Sequence, residues 1–389
     1  MADADVLPFR ASFDATAIDD LRARLRNTRW PERETVDDWS QGIPLAFVQD
    51  LAAYWCDEYD FTAADERLNA WPQFLTRIDD IDVHFVHARS PEPDALPLVM
   101  SHGWPGSVVE FFAVLGPLTD PVAHGGDAAD AFHVVCPSLP GYGFSSKPST
   151  RGRGVPWMAH AWATLMSRLG YERFAAQGGD WGSAVTTTVG ELYRDRVVGI
   201  HVNMPTVPLG PLTDDSTPSE RRNLEDFEWH TRWGTGYQIE QSTRPQTLGY
   251  GLVDSPVGQL AWIVEKFWAW TDCDGDPLTI FTRDQLLDNV TIYWFTSTGA
   301  SSARLYWESA GPAPPVDPSA MAALTGAVTV PTGCSVFPRE IRRPSRRWAE
   351  QRFTNIHWWN EPPKGGHFAA FEQPALFVDE VRSSFRPLR

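Results

Sequence analysis

The sequence predicts an α/β protein: a mostly parallel sheet with helices on both faces, a helical insertion, and an N-terminal region of different pattern. Three observations carry this. After about residue 95, short apolar strands alternate with helical stretches, which is the pattern of βαβ units on a parallel sheet. That alternation breaks between about Pro208 and Pro318, where no convincing strand occurs. The 389 residues also exceed what one hydrophobic core usually organises, so a catalytic core with additions is expected rather than a string of equal domains.

In chain order, residues 1–95 form the N-terminal region. Ile18, Leu21 and Leu25 recur at helical spacing between Asp14 and Thr28, and Pro31 stops that helix. A second helical run covers Leu45 to Tyr59, and Phe74–Ile78 with Val83–Ala88 reads as a hairpin around Asp79-Asp80. Beyond Pro91-Glu92-Pro93, residues 96–208 read as the first part of the core. Its strands are Leu98–Ser101, Phe132–Cys136, Phe174–Ala176 and Val197–Val202, with helices at Met158–Leu169 and Ser183–Tyr193. Residues 209–320, rich in Trp, Arg and Thr, read as a helical cap over the carboxyl edge of the sheet, where open α/β sheets bind ligands. Residues 321–389 close the core with strands Val328–Val330 and Ile356–Trp358.

Composition narrows the partners. The formal charge of −17 repels nucleic acid and anionic membrane and favours a neutral or cationic small molecule. Eighteen tryptophans suit a wide apolar pocket, although most must serve packing. Cys56, Cys136, Cys273 and Cys334 have no CxxC spacing, which argues against structural zinc or a disulfide scaffold and for reduced thiols in a cytoplasmic protein. The acidic start Met1-Ala2-Asp3-Ala4-Asp5 is no signal peptide, and no stretch nears the roughly 18 apolar residues of a spanning helix, so no membrane partner is expected. Monomer and homodimer both stay open.

The strand at Phe174–Ala176 runs into Gly178-Gly179-Asp180-Trp181-Gly182 and then a helix. That is the setting of a nucleophile elbow, a strained strand-to-helix turn whose flanks must be small. The elbow holds Asp where Ser is usual, and no GxSxG occurs anywhere. A carboxylate attacks saturated carbon and leaves an alkyl ester that water must cleave, so epoxides and alkyl halides fit as substrates. An Asp opening a helix is often a plain cap, but the flanking glycines are more than a cap needs.

An oxyanion hole needs one backbone N–H after the nucleophile and one from the loop after an earlier strand. Trp181 and Trp104, the latter within His102-Gly103-Trp104-Pro105-Gly106, are placed to supply them. Ser138-Leu139-Pro140-Gly141-Tyr142-Gly143 follows the next strand and supports the order. The general base is expected on the loop after the last strand, where His367 follows Gly365-Gly366 and Pro374 opens the final helix. Its supporting acid is Glu340, after the penultimate strand, in preference to Glu361, which shares a loop with the histidine. Asp272-Cys273-Asp274-Gly275-Asp276 starts like a calcium loop, but Pro277 and Arg283 stand where Gly and Glu are needed. No metal or cofactor is called for. The cluster Arg339, Arg342, Arg343, Arg346 and Arg347 reads as a solvated face.

Taken together, His102–Gly106, Gly179–Gly182, Asp254–Gly258, Phe337-Pro338-Arg339-Glu340 and Gly365–Glu372 resemble the microsomal-type epoxide hydrolases over nearly the whole chain. The resemblance implies the α/β-hydrolase fold with an N-terminal region wrapping core and cap. It also implies two cap tyrosines that donate to the epoxide oxygen, at positions matched by Tyr237 and Tyr306. Membrane-bound members carry an N-terminal anchor, and this chain looks like the kind without one. The expected function is epoxide hydrolysis of a small apolar substrate: attack by Asp180, then ester hydrolysis by water that His367 and Glu340 activate. The alternatives are a haloalkane dehalogenase, which also uses Asp-Trp-Gly at the elbow but usually has Asn or Glu in place of Trp104, and a non-catalytic binder on the same fold.

Overall fold

The computed structural model describes residues 5–312 and 326–389. The residues before Asp5 and the expected cap-to-core boundary at residue 320 lie outside them. Nine strands form one sheet in the order β1-β2-β3-β5-β4-β6-β7-β8-β9. The parallel core comprises β4 (Leu96–Ser101), β5 (Phe132–Pro137), β6 (Phe174–Gly178), β7 (Val197–Val202), β8 (Thr332–Ser335) and β9 (Ile356–Asn360). All five residues of β6 are buried, as expected for a strand covered on both faces. Helices α4 (Phe112–Thr119), α5 (Val155–Arg168) and α6 (Asp180–Leu192) connect the first of these strands.

The N-terminal region joins the same sheet. Strands β1 (Val6–Phe9), β2 (Gln73–Ile78) and β3 (Ile81–Ala88) pair antiparallel with one another, and β3 pairs antiparallel with β5. The hairpin expected around Asp79-Asp80 is present, with Asp79 at φ 52°. β1 was not foreseen, because Val6–Phe9 is too short and too exposed to alternate. Helices α1 (Ala15–Arg26), α2 (Leu45–Asp57) and α3 (Phe61–Leu68) lie between β1 and β2. Asp14 caps α1 and Asp60 caps α3, each accepting two backbone N–H groups.

Between β7 and β8 the described chain is helical: α7 (Pro218–Trp233), α8 (Gly236–Thr243), α9 (Pro245–Asp254), α10 (Pro256–Ala269), α11 (Arg283–Phe295) and α12 (Gly299–Ala310). Thr217 with Glu220 and Thr282 with Gln285 form capping boxes that start α7 and α11. The chain closes with α13 (Arg346–Ala349), α14 (Ala369–Glu372) and α15 (Pro374–Phe385).

Two expectations are corrected. The penultimate strand is not Val328–Val330, of which only Val328 makes an isolated bridge, to Phe353. The β-branched triplet attracted the reading. The residues that pair with β7 and β9 are instead Thr332–Ser335, of weaker strand propensity but all buried. The helix after β6 starts at Asp180 rather than Ser183.

Helix α11 binds in two directions. On one side Asp288, 8% exposed, accepts both arms of Arg67 at 2.8 and 2.7 Å and the Tyr59 hydroxyl at 2.5 Å, all from the N-terminal region. On the other, Asn289 donates to the Pro105 carbonyl at 2.8 Å and Tyr293 to the Gly106 carbonyl at 2.9 Å. The N-terminal region thus holds the loop after β4 through one helix. Replacing Asp288 with Ala removes these charge-assisted bonds and should lower unfolding stability by roughly 1.5–3 kcal/mol. Urea unfolding should show it, with Arg33→Ala, which breaks the exposed Arg33–Asp37 pair, leaving the midpoint unchanged.

Candidate active site

The site begins with a turn that most residues cannot make. Asp180 takes φ 48°, a left-handed conformation that costs a non-glycine residue on the order of 1–3 kcal/mol. The turn's neighbours leave no room: a Cβ on Gly178 would stand 2.1 Å from the Gly182 carbonyl oxygen, and one on Gly182 would stand 1.9 Å from that of Ser101. The strained geometry throws the Asp180 carboxylate off the end of β6 at the first residue of α6.

Two groups meet that carboxylate, one on each oxygen. The Trp104 N–H donates to Asp180 Oδ1 at 2.8 Å. Gly103 permits this approach, since a Cβ there would lie 2.1 Å from the same oxygen. His367 Nε2 stands 3.3 Å from Asp180 Oδ2, and His367 Nδ1 is 2.7 Å from Glu340 Oε1. Glu340 also accepts the Ile341 N–H at 2.7 Å. Glu361, the alternative acid, is exposed and accepts from Trp359 instead, 3.3 Å away. Among the described residues the Trp181 N–H makes no hydrogen bond to Asp180, so one of the two expected oxyanion donors is engaged.

The histidine loop is fastened by the end of α10 and the turn after it. The His367 N–H donates to the Trp270 carbonyl at 2.9 Å, and Asp272, from the calcium-like stretch, accepts the Gly365 N–H at 3.0 Å. Burial works against a charged imidazole at His367. The Glu340 charge and the Asp180 carboxylate outweigh it and hold its pKa well above 6.5.

Tyr237 at the start of α8 and Tyr306 on α12 enter the same cleft, 6% and 3% exposed, with ring centroids 5.9 Å apart. Trp104 stacks on Tyr237 at 5.0 Å, and Trp181 meets Tyr306 edge-on at 4.9 Å. Burial above all raises both phenol pKa values above 10, helped at Tyr237 by the Asp180 charge and at Tyr306 by Tyr237 and then Asp180, so both hydroxyls carry protons to donate. The cleft holds about 520 Å³ and is walled by Trp181, Met204, Phe227, Ile239 and Ile341 beside Asp180 and the tyrosines. Of the seven expected site residues, Asp180, Trp181, Tyr237 and Tyr306 line this cleft, Trp104 and His367 touch Asp180, and Glu340 stands behind His367.

Sequence reading missed Glu110. It is a fully buried carboxyl with Oε1 unbonded among the described residues, and burial raises its pKa to about 8. It lines a cavity of about 20 Å³ with Asp180, His367 and Asn203, room for one water. The lone acid in Val108-Val109-Glu110-Phe111 was its only signal. In the arginine cluster Arg339, Arg346 and Arg347 are exposed, as the solvated-face reading expects, whereas Arg342 and Arg343 are only partly exposed. Arg343 pairs with Asp226, Arg347 with Glu220 and Asp215, Arg346 with Glu350 and Arg339 with Asp272. Glu220 and Asp226 belong to α7, so two of these arginines tie that helix to the segment after β8.

Comparison with known proteins agrees with this architecture. Residues 6–111 match the epoxide hydrolase N terminus family and residues 97–281 the alpha/beta hydrolase fold family. The chain is 52% identical over 385 residues to a provisional epoxide hydrolase of Stigmatella aurantiaca, covering 99% of this chain and 86% of that one. It is 34% identical to epoxide hydrolase 1 of Oryctolagus cuniculus, covering 98% and 89%. Among solved structures, juvenile hormone epoxide hydrolase of Bombyx mori superposes with a TM-score of 0.89 at 28% identity, covering 99% and 95%. Aspergillus niger epoxide hydrolase gives 0.88 at 30% identity, covering 100% and 98%. Among the described residues no helix is long and apolar enough to cross a membrane. On this sequence and structural likeness across nearly its full length, the chain belongs to the epoxide hydrolase family of the α/β-hydrolase fold.

Proposed function

We propose that the protein hydrolyses small apolar epoxides to vicinal diols through a covalent ester on Asp180. The observation that carries this is a carboxylate held by an N–H on one oxygen and a histidine on the other, facing two protonated tyrosines across one apolar cleft. Tyr237 and Tyr306 bind the epoxide oxygen and supply its proton as the ring opens. Asp180 Oδ2 attacks the ring carbon, and Oδ1, already at the Trp104 N–H, becomes the ester carbonyl oxygen. Water, giving a proton to His367, then attacks the ester carbonyl. The oxyanion rests on Trp104 and, once it forms, on Trp181, and its collapse breaks the Cγ–Oδ2 bond, so the diol leaves with Oδ2 and the proton returned by His367.

The charge pattern times the second step. In the free enzyme the Asp180 charge helps keep His367 protonated. Alkylation neutralises Asp180 and so removes one of the two charges that favour the cation, and the imidazolium proton passes to the phenolate that ring opening leaves behind. The base is thus generated only once an ester exists to be cleaved, with Glu340 orienting it. The cavity bounded by Glu110, His367 and Asp180 offers the water a place on the histidine side. Within this reading residues 1–95 wrap core and cap, 209–320 form the cap, and 96–208 with 321–389 form the core. Four free buried thiols fit a cytoplasmic setting.

Labelled imidazole NMR should find His367 titrating above 6.5 in the free enzyme, because both carboxylates favour its cation. Asp180→Asn removes one of them and should lower that pKa; an unchanged value would remove Asp180 from the coupling. The tyrosines separate epoxide from halide chemistry. One preorganised donor is worth about 10²–10³ in rate, and each can partly cover for the other. Tyr237→Phe and Tyr306→Phe should each lower kcat/KM modestly, and the double variant should be nearly inactive on styrene oxide. Near wild-type diol formation by the double variant, or faster halide release from chloroalkanes than diol formation by the wild type, would defeat the reading.

A further inference from the structure

One arginine of the cluster on the loop after β8 was left without an ion-pair partner. Arg342 lines the cleft that holds Asp180, Tyr237 and Tyr306. It is largely buried, with its guanidinium carbon 4.8 Å from the centre of the Phe227 ring. Among the described residues it makes no hydrogen bond and no ion pair, and its Nε is buried without any partner. Its neighbours Arg339, Arg343, Arg346 and Arg347 are each matched with carboxylates. A buried cation with nothing opposite is costly, and such groups normally gain a paired anion. Burial alone pulls the Arg342 pKa below its ordinary value, and no acid pushes it back.

The rest of the cleft does not supply that anion. The carboxylate that lines it, Asp180, is already opposed by His367 at 3.3 Å. His230, on the same wall, has its pKa lowered to about 4, chiefly by burial and then by Lys266, His367 and Arg342, so it is neutral at pH 7. The chain carries net negative charge, yet one wall of this cleft carries a positive charge with no ion-pair partner among the described residues.

We propose that the cleft takes epoxides bearing a carboxylate at a distance from the ring, and that Arg342 binds this carboxylate as a specificity-determining residue. This rests on the epoxide-opening reading and changes its substrate class from wholly apolar epoxides to amphipathic ones, apolar around the ring and anionic at the far end. The guanidinium fork suits a carboxylate through two parallel N–H···O bonds, and the Phe227 ring packs against the guanidinium. The long-range repulsion of a −17 surface falls off within a Debye length of about 8 Å in physiological salt, so the local cation decides inside the cleft.

The test compares terminal epoxy-alkanoates of six to twelve carbons with their methyl esters and with the parent terminal epoxyalkanes. At the best chain length the wild-type enzyme should prefer acid over ester by about tenfold or more in kcat/KM, mainly through KM. Arg342→Met should bring that ratio to one or below, and Arg342→Lys should keep part of it. Thermal unfolding checks that both variants fold, and the wild-type comparison stands even if one does not. If no chain length favours the acid, or the ratio survives in Arg342→Met, the assignment of Arg342 is overturned while epoxide opening stands. If none of the compounds, parent epoxyalkanes included, yields a diol, the epoxide reading itself fails and this proposal with it.

Discussion

The rest of the site depends on the buried run Glu340–His367–Asp180, in which one imidazole stands between two carboxylates and one of those carboxylates opens onto a cleft. Two carboxylates around one imidazole make sense of its raised pKa. The arrangement needs β6, β8 and β9 in register, because Asp180 follows the first, Glu340 the second and His367 the third. It also needs the strained turn at Asp180, which the close approach of Gly178, Gly182 and Ser101 over-determines.

The parts outside the core serve the same end at one remove. α11 joins Arg67 and Tyr59 of the N-terminal region to the carbonyls of Pro105 and Gly106, one and two residues beyond the N–H that holds Asp180. The end of α10 and the turn after it fasten the histidine loop through Trp270 and Asp272. α8 and α12 bring the two tyrosines in. In this arrangement the N-terminal region and the inserted helices complete the site as well as cover it, and a site built on the core strands alone would lack its tyrosines and its braces.

How much of this the sequence showed follows from the range of the forces involved. The elbow, the histidine loop and the loop after β4 were legible because tight turns demand small residues at fixed spacing, a local constraint. Their convergence was also legible, since strand order brings such loops to one sheet edge. Tyr237 and Tyr306 were different: nothing local distinguishes them from packing aromatics, and only likeness to a family singled them out. Strand β8 was misplaced by four or five residues because burial between β7 and β9 overrode the stronger propensity of Val328–Val330. The pairing of Arg343 and Arg347 left no mark in the sequence for a related reason. Their partners Glu220 and Asp226 lie more than a hundred residues away, and such pairing leaves no local trace. The same blindness hid Glu110, a buried acid whose meaning comes only from what surrounds it.

The central claim is that the oxygen delivered to the substrate comes from Asp180 and that water attacks the ester carbonyl afterwards. A single turnover in H₂¹⁸O, with enzyme in molar excess over styrene oxide, tests it directly by mass spectrometry of both product and protein. The account predicts that the first diol carries no ¹⁸O and that the peptide containing Asp180 gains one. Label in the first diol with an unlabelled Asp180 peptide would mean direct attack by water, and would contradict it.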